Sequence, residues 1–124
     1  MTENNQYPKI NFSANKIHVH HWPLTSSVWS ESTKKMIDLE LNDNPEKKNI
    51  LIEEQKIRIN NYEFNKIKKV GVTVPLFKTE TRMVFEGQFK NINAHVHITT
   101  NSKNYLEIFN KLMVWKNKYF LDFP

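Results

Sequence analysis

The stretch 102–119, SKNYLEIFNKLMVWKNKY, decides the reading of this chain. Tyr105, Ile108, Phe109, Leu112, Trp115 and Tyr119 recur at a helical period and make one apolar stripe, which Leu106 and Met113 widen. Asn101 or Ser102 is placed to cap the first free amides with a side-chain oxygen. Glu107 and Lys111 stand four apart in the favourable order. Lys111, Lys116 and Lys118 fall where the helix dipole is negative. One amphipathic helix needs a sheet or an open barrel to cover. The expected class is therefore α+β, with the helix closing a strand-rich core.

Upstream of the helix the pattern alternates. Ala94, Val96 and Ile98 face one way, and His95, His97 and Thr99 the other. Met83, Phe85, Gly87 and Phe89 alternate with Arg82, Glu86 and Gln88 in a strand read from Lys78, and Lys90-Asn91 turns the chain. The β-branched Val70, Val72 and Val74 form the clearest strand core, entered through Tyr62, Phe64 and Ile67 and ended by Pro75. Residues 49–53 and 56–59 read as a hairpin, with Asn60-Asn61 as the next turn. Ile37, Leu39 and Leu41 predict a strand over 34–41, before the turn Asn42-Asp43-Asn44-Pro45. The Ser- and Thr-rich segment 24–33 reads as a loop or one helical turn that tucks Trp29 against the core. Ile17 and Val19 share one strand face, and His18 and His20 the other; Ile10 and Phe12 begin the pattern. That gives about seven short antiparallel strands at meander spacing, barrel-like or in two sheets. Residues 1–9 are a loose polar terminus, and 10–124 form a single domain.

Composition narrows the chemistry. No Cys is present, which removes disulfides, thiol nucleophiles and Cys-ligated metal sites. The first residues carry no apolar core of a signal peptide, and no run approaches a membrane span. The expected location is cytoplasmic, with peripheral contact at a membrane allowed by the charge of +5. Of the basic residues only Arg58 and Arg82 are Arg, so the forked donors that read phosphates and bases are nearly absent, and nucleic acid is not the expected partner. Ser26, Ser27 and Ser30 lack nucleophile-elbow glycines, phosphate-cradling loops are missing, and no carboxylate pair sits beside a His at useful spacing. No catalytic residue is assigned, and no cofactor is expected.

Two constellations remain. His18 with His20, and His95 with His97, are His-x-His pairs; on neighbouring strands they would make one site for zinc, copper or nickel. Their plain alternative is the polar face of alternating strands. Lys56, Arg58, Lys66, Lys68 and Lys69 lie on consecutive strands; if their faces coincide they form a basic patch for an acidic protein or an anionic membrane surface. Their plain alternative is a solvated edge kept from aggregating by Lys. Trp22, Trp29, Phe77 and the tail 120–124 are the aromatics hardest to bury.

The order of elements over 49–119 resembles the bacterial, GRAM-like relatives of the pleckstrin-homology superfold: NILIEEQKIRI, then NKIKKVGVTV, TRMVFEGQF and AHVHITT, then the helix with Trp115 on its buried face. The entry Ile67 to Val70 matches those relatives' pattern. The resemblance implies a strand core closed by the C-terminal helix and a non-enzymatic module that engages a protein or a membrane. By analogy, a lone small domain of this kind serves as an immunity or counter-defence protein. The Lys-rich cluster with Arg that marks phosphoinositide-binding members is missing; Lys34-Lys35 and Lys47-Lys48 flank the corresponding strand without it.

Overall fold

A computed structural model of the chain describes residues 9–21 and 28–120. Seven strands form one antiparallel sheet: β1 (Ile10–Ala14), β2 (Lys16–His21), β3 (Lys48–Glu53), β4 (Lys56–Ile59), β5 (Tyr62–Thr73), β6 (Thr81–Phe89) and β7 (Ile92–Thr100). Helix α1 (Glu31–Ile37) lies between β2 and β3, and helix α2 (Tyr105–Tyr119) follows β7. The spatial order is β1-β3-β4-β5-β6-β7-β2. The first two strands in sequence therefore occupy opposite ends of the sheet.

Only Asn15 separates β1 from β2, so the sheet must curl until its ends meet there. The Asn15 amide donates to the Thr99 carbonyl (2.8 Å), the Asn15 side-chain oxygen accepts from the Asn101 amide (2.9 Å), and the Thr100 hydroxyl donates to the Ser13 carbonyl (2.7 Å). The result is a half-barrel whose seam is pinned at one corner. Its other free edge, that of β2, is blunted by a side chain. Asn42 accepts from the Val19 amide (2.7 Å) and donates to the Val19 carbonyl (2.9 Å), occupying both backbone groups that Val19 would offer a further strand.

The core collects the inward residues of every strand and the stripe of α2. Ile50, Ile52, Ile57, Ile59, Phe64, Phe85 and Val96 are fully buried, with Ile108, Leu112 and Trp115 from the helix. Two indoles each hold a hairpin end. Trp115 Nε1 donates to the Glu54 carbonyl (2.6 Å), and Trp29 Nε1 to the Phe89 carbonyl (3.1 Å). Among the described residues, the three buried polar side chains are all bonded: Thr81 to the Tyr105 carbonyl, Thr100 to the Ser13 carbonyl, and Lys48 to the Asn44 carbonyl. Burial pushes the Lys48 ammonium below its ordinary range.

Three expectations are corrected. Residues 34–41 are not a strand: α1 and a π-helical continuation (Asp38–Asn42) occupy them. Ile37 and Leu41 are buried four residues apart, while Leu39 is 61% exposed. Alternation over three residues shares its first and last positions with a helical i, i+4 pair, and the helix has a start signal: Ser30 Oγ accepts from the Thr33 amide. The cap of α2 is Asn104, with no side-chain bond to the helix amides, because the Ser102 hydroxyl and the Asn104 oxygen bond each other at 2.6 Å. Leu106 does not widen the buried stripe; it is exposed. Of the awkward aromatics, Trp29 is buried and Phe77 is exposed, while Trp22 and 121–124 lie outside the described residues.

Left-handed backbone falls on Glu54, Asn60, Lys66, Phe77, Lys90 and Asn91, none of them glycine. Paired left-handed residues at Lys90-Asn91 make a hairpin turn whose twist suits the strands it joins. Lys66 lies in a bulge where β5 slips against β6 between Asn65 and Lys69. Opposite the bulge stands Gly87. A methyl there would meet Ile67 Cδ1 at 2.6 Å and the Asn65 carbonyl at 2.9 Å. The side chain can shift, but the carbonyl belongs to the strand. Gly87→Ala is expected to cost about 1–3 kcal/mol, read as a lower denaturation midpoint with unchanged m-value. An unchanged midpoint would show that the bulge is free to move.

Candidate metal site on the outer sheet face

Alternation on β2 and β7 sends Ile17, Val19, Ala94, Val96 and Ile98 into the core, and the His-x-His residues to the opposite face. The two strands pair antiparallel in a register that sets His18 opposite His97 and His20 opposite His95. Both pairs predicted from the sequence therefore fall on one patch. Ring centroids lie 5.1 Å apart for His20 and His95, 4.9 Å for His95 and His97, and 5.1 Å for His18 and His20. One ring nitrogen from each of His20, His95 and His97 lies within 4.8 Å of the other two. A tetrahedral metal with bonds of about 2.0–2.1 Å draws such nitrogens to roughly 3.3 Å apart. Small ring rotations cover the difference. His18 borders the trio at a ring distance of 6.3 Å from His97.

The neighbouring strand adds a residue whose position in an alternating strand gave no sign of a role. Glu86 on β6 is the register partner of His95, and its carboxylate lies 3.5 Å from His95 Nδ1. Both side chains are about four-fifths covered, at 18% and 22% exposure. A carboxylate beside Nδ1 favours the tautomer with the proton on that nitrogen and the lone pair on Nε2. Lys69 on β5 is in turn the partner of Glu86, so one row across the sheet reads Lys69, Glu86, His95, His20. A period of two could have flagged Glu86, but only with the strand order in hand.

The surroundings of His20 and His97 favour the neutral ring. Burial lowers the His20 pKa, and the neighbouring rings of His18, His95, His97 and His21 lower it further. Burial also lowers His97, followed by His95 and His18. Neutral rings are the form that ligates. The sign for stability without metal follows. A His held below its unfolded value of 6.5 binds fewer protons folded than unfolded, so its contribution is complete above that value and lost as pH falls through it. With chelator present, the melting temperature is expected to drop between about pH 6.5 and pH 5. His20→Gln with His97→Gln should flatten that slope. An equal slope in the double variant would place the effect elsewhere.

Beside the patch, a groove of about 540 Å³ runs between Lys16, His18 and His97 on the sheet and Asn42 to Pro45 after α1. It opens to solvent beside His18 and His97. His21 lies apart from the trio, edge-on to Trp29 at 5.7 Å.

The basic residues do not assemble as one row. Arg58 on β4 lies opposite Glu63 and reaches it at 3.4 Å, while Lys56 lies opposite Glu53. Lys66, Lys68 and Lys69 come after the last β4–β5 pair, in and beyond the bulge, where β5 is bonded to β6 alone. Lys69 faces the row of Glu86. All five cations are exposed. Among the described residues no helix is long and apolar enough to cross a membrane. Comparison with known protein families finds no match, and no curated protein matches the chain.

Proposed function

We propose that the protein binds a first-row divalent metal ion through His20, His95 and His97, with His18 and Glu86 supporting the site. The observation that carries this reading is the register of β2 on β7, which sets two His-x-His pairs face to face and brings three ring nitrogens within 4.8 Å. An all-imidazole set suits zinc, copper or nickel and is poor for magnesium or calcium, which prefer oxygen ligands. Glu86, 3.5 Å from His95 Nδ1, orients that ring and is not itself a ligand.

The ligands sit on paired strands of a packed sheet, so the site needs little rearrangement to load. Titration of the metal-free protein with zinc, copper and nickel, followed by calorimetry and by mass spectrometry of the intact chain, tests the reading. One ion per chain with affinity well above that for magnesium is the expected result. No binding of any of the three ions at micromolar concentration would overturn it.

A further inference from the structure

The segment joining β5 to β6 presents its most apolar residues to solvent. Pro75 to Lys78 form a tight turn closed by the Lys78 amide on the Pro75 carbonyl (3.2 Å). Leu76 is 79% exposed and Phe77 is 100% exposed, the most exposed large hydrophobic among the described residues. Phe77 also holds a left-handed φ of 62°, a conformation in which glycine is at ease and a bulky side chain is strained. Neither the core nor the backbone geometry accounts for a Phe at this position.

The charges around the tip that lack an opposite partner share one sign. Lys78 follows Phe77 directly. Lys16 and Arg82 lie in the sheet row Thr73, Arg82, Thr99, Lys16, which runs behind the turn. Thr81 at the start of β6 pairs with Thr100 at the end of β7, so Lys103 in the connection to α2 lies at the same end of the molecule. Glu80 is taken up by Arg82 at 2.6 Å, and Glu107 on α2 by Lys111 at 3.3 Å. Lys16, Lys78 and Lys103 have no acidic partner among the described residues.

We infer that this turn is an insertion tip that docks the protein on an anionic lipid surface, with Leu76 and Phe77 entering the apolar boundary and the lysines resting among the headgroups. The order of the groups fits a bilayer interface: apolar side chains at the apex, cations one step behind, as negative headgroups overlie acyl chains. A convex two-residue apex needs no matching pocket in a deformable bilayer, whereas a protein partner would need one. Two apolar side chains with a few lysines give reversible attachment and no permanent anchor.

Flotation with vesicles of phosphatidylcholine alone, or with roughly 30% phosphatidylserine added, tests this. Chelator is present throughout, so the histidine site plays no part. The wild-type protein is expected to bind the anionic vesicles, to bind the neutral ones weakly, and to release as salt is raised. Phe77→Gly should lower binding to anionic vesicles by about tenfold or more, while its melting temperature stays level or rises as the left-handed strain is relieved. Leu76→Ser should weaken binding in the same direction, and Lys78→Glu should remove the preference for anionic vesicles. Wild-type binding that is absent, indifferent to headgroup charge, or unchanged in Phe77→Gly would overturn the inference. Absence from both vesicle types would leave a protein pocket as the occupant.

Discussion

Alanine at His95 is expected to abolish the thermal stabilisation that zinc gives the wild-type protein. At a free metal concentration of about 100 times Kd, an ion that binds only the folded chain adds about 2.7 kcal/mol, a rise in Tm of roughly 10 °C for a chain this size. His95 is the centre of the trio: it faces His20 across the strand pair, stands one pleat from His97, and carries the Glu86 carboxylate. Its loss leaves at most two rings at the core of the site. Affinity should fall by more than the 10–100-fold typical of losing an outer-sphere partner, so the shift should vanish at the same zinc concentration. Glu86→Gln should lose only that smaller factor, because the amide still fills the space but no longer accepts as a charge. Differential scanning fluorimetry with zinc and with chelator reads both variants. A His95→Ala protein that still gains the full shift would remove the trio as the binding site. Since His95 points away from the core, its metal-free Tm should stay close to wild type.

The largest loss of stability is expected from Leu112→Ala. Leu112 is fully buried and sits in the centre of the α2 stripe, between Ile108 and Trp115, in the core shared with the sheet. Removing it takes away the transfer free energy of a large side chain and leaves a void that the curved sheet cannot easily close, a cost of about 2–5 kcal/mol. Against a total stability of about 5–15 kcal/mol, this is a large fraction. Chemical denaturation should show a much lower midpoint. Val114→Ala, two residues on and on the exposed side of the helix, is the matched control and should be close to neutral. Equal midpoints for the two variants would mean that α2 does not cover the sheet as described.

These residues also show what the chain discloses before folding. The α2 stripe was legible because six apolar positions share one period over fifteen residues, more than chance alternation supplies. The strands before it were legible for the same reason, at a period of two. Helix α1 was not, since Ile37 and Leu41 satisfy a strand and a helix equally and only Leu39 separates the readings. The bulge at Lys66 left no mark because its left-handed residue is a lysine where glycine would have signalled it. The His-x-His pairs were visible as pairs. That they meet depends on β2 crossing from the start of the chain to lie against β7, a long-range choice that local pattern does not encode. Glu86 entered the patch through the same choice. The basic residues were visible as a cluster in sequence, but the shortness of β4 kept them from facing one another.

The corner at Asn15 bears on how the molecule comes into being. The strand pair that seats the histidines and the bonds that pin the seam all join residues far apart in the chain, Asn15 to Thr99 and Ser13 to Thr100. The hairpins from β3 to β7 are local and can form as soon as each is available. Strand β1 can pair as soon as β3 exists, but β2 has no strand neighbour until β7 is made, and closing so long a loop carries an entropic cost that slows the step. During synthesis β2 must therefore wait unpaired, and the docking of Ile17 and Val19 onto β7 marks the moment of cooperative closure. Any metal the histidines take up would bind only after that moment, so it reports completion of the fold and cannot template it.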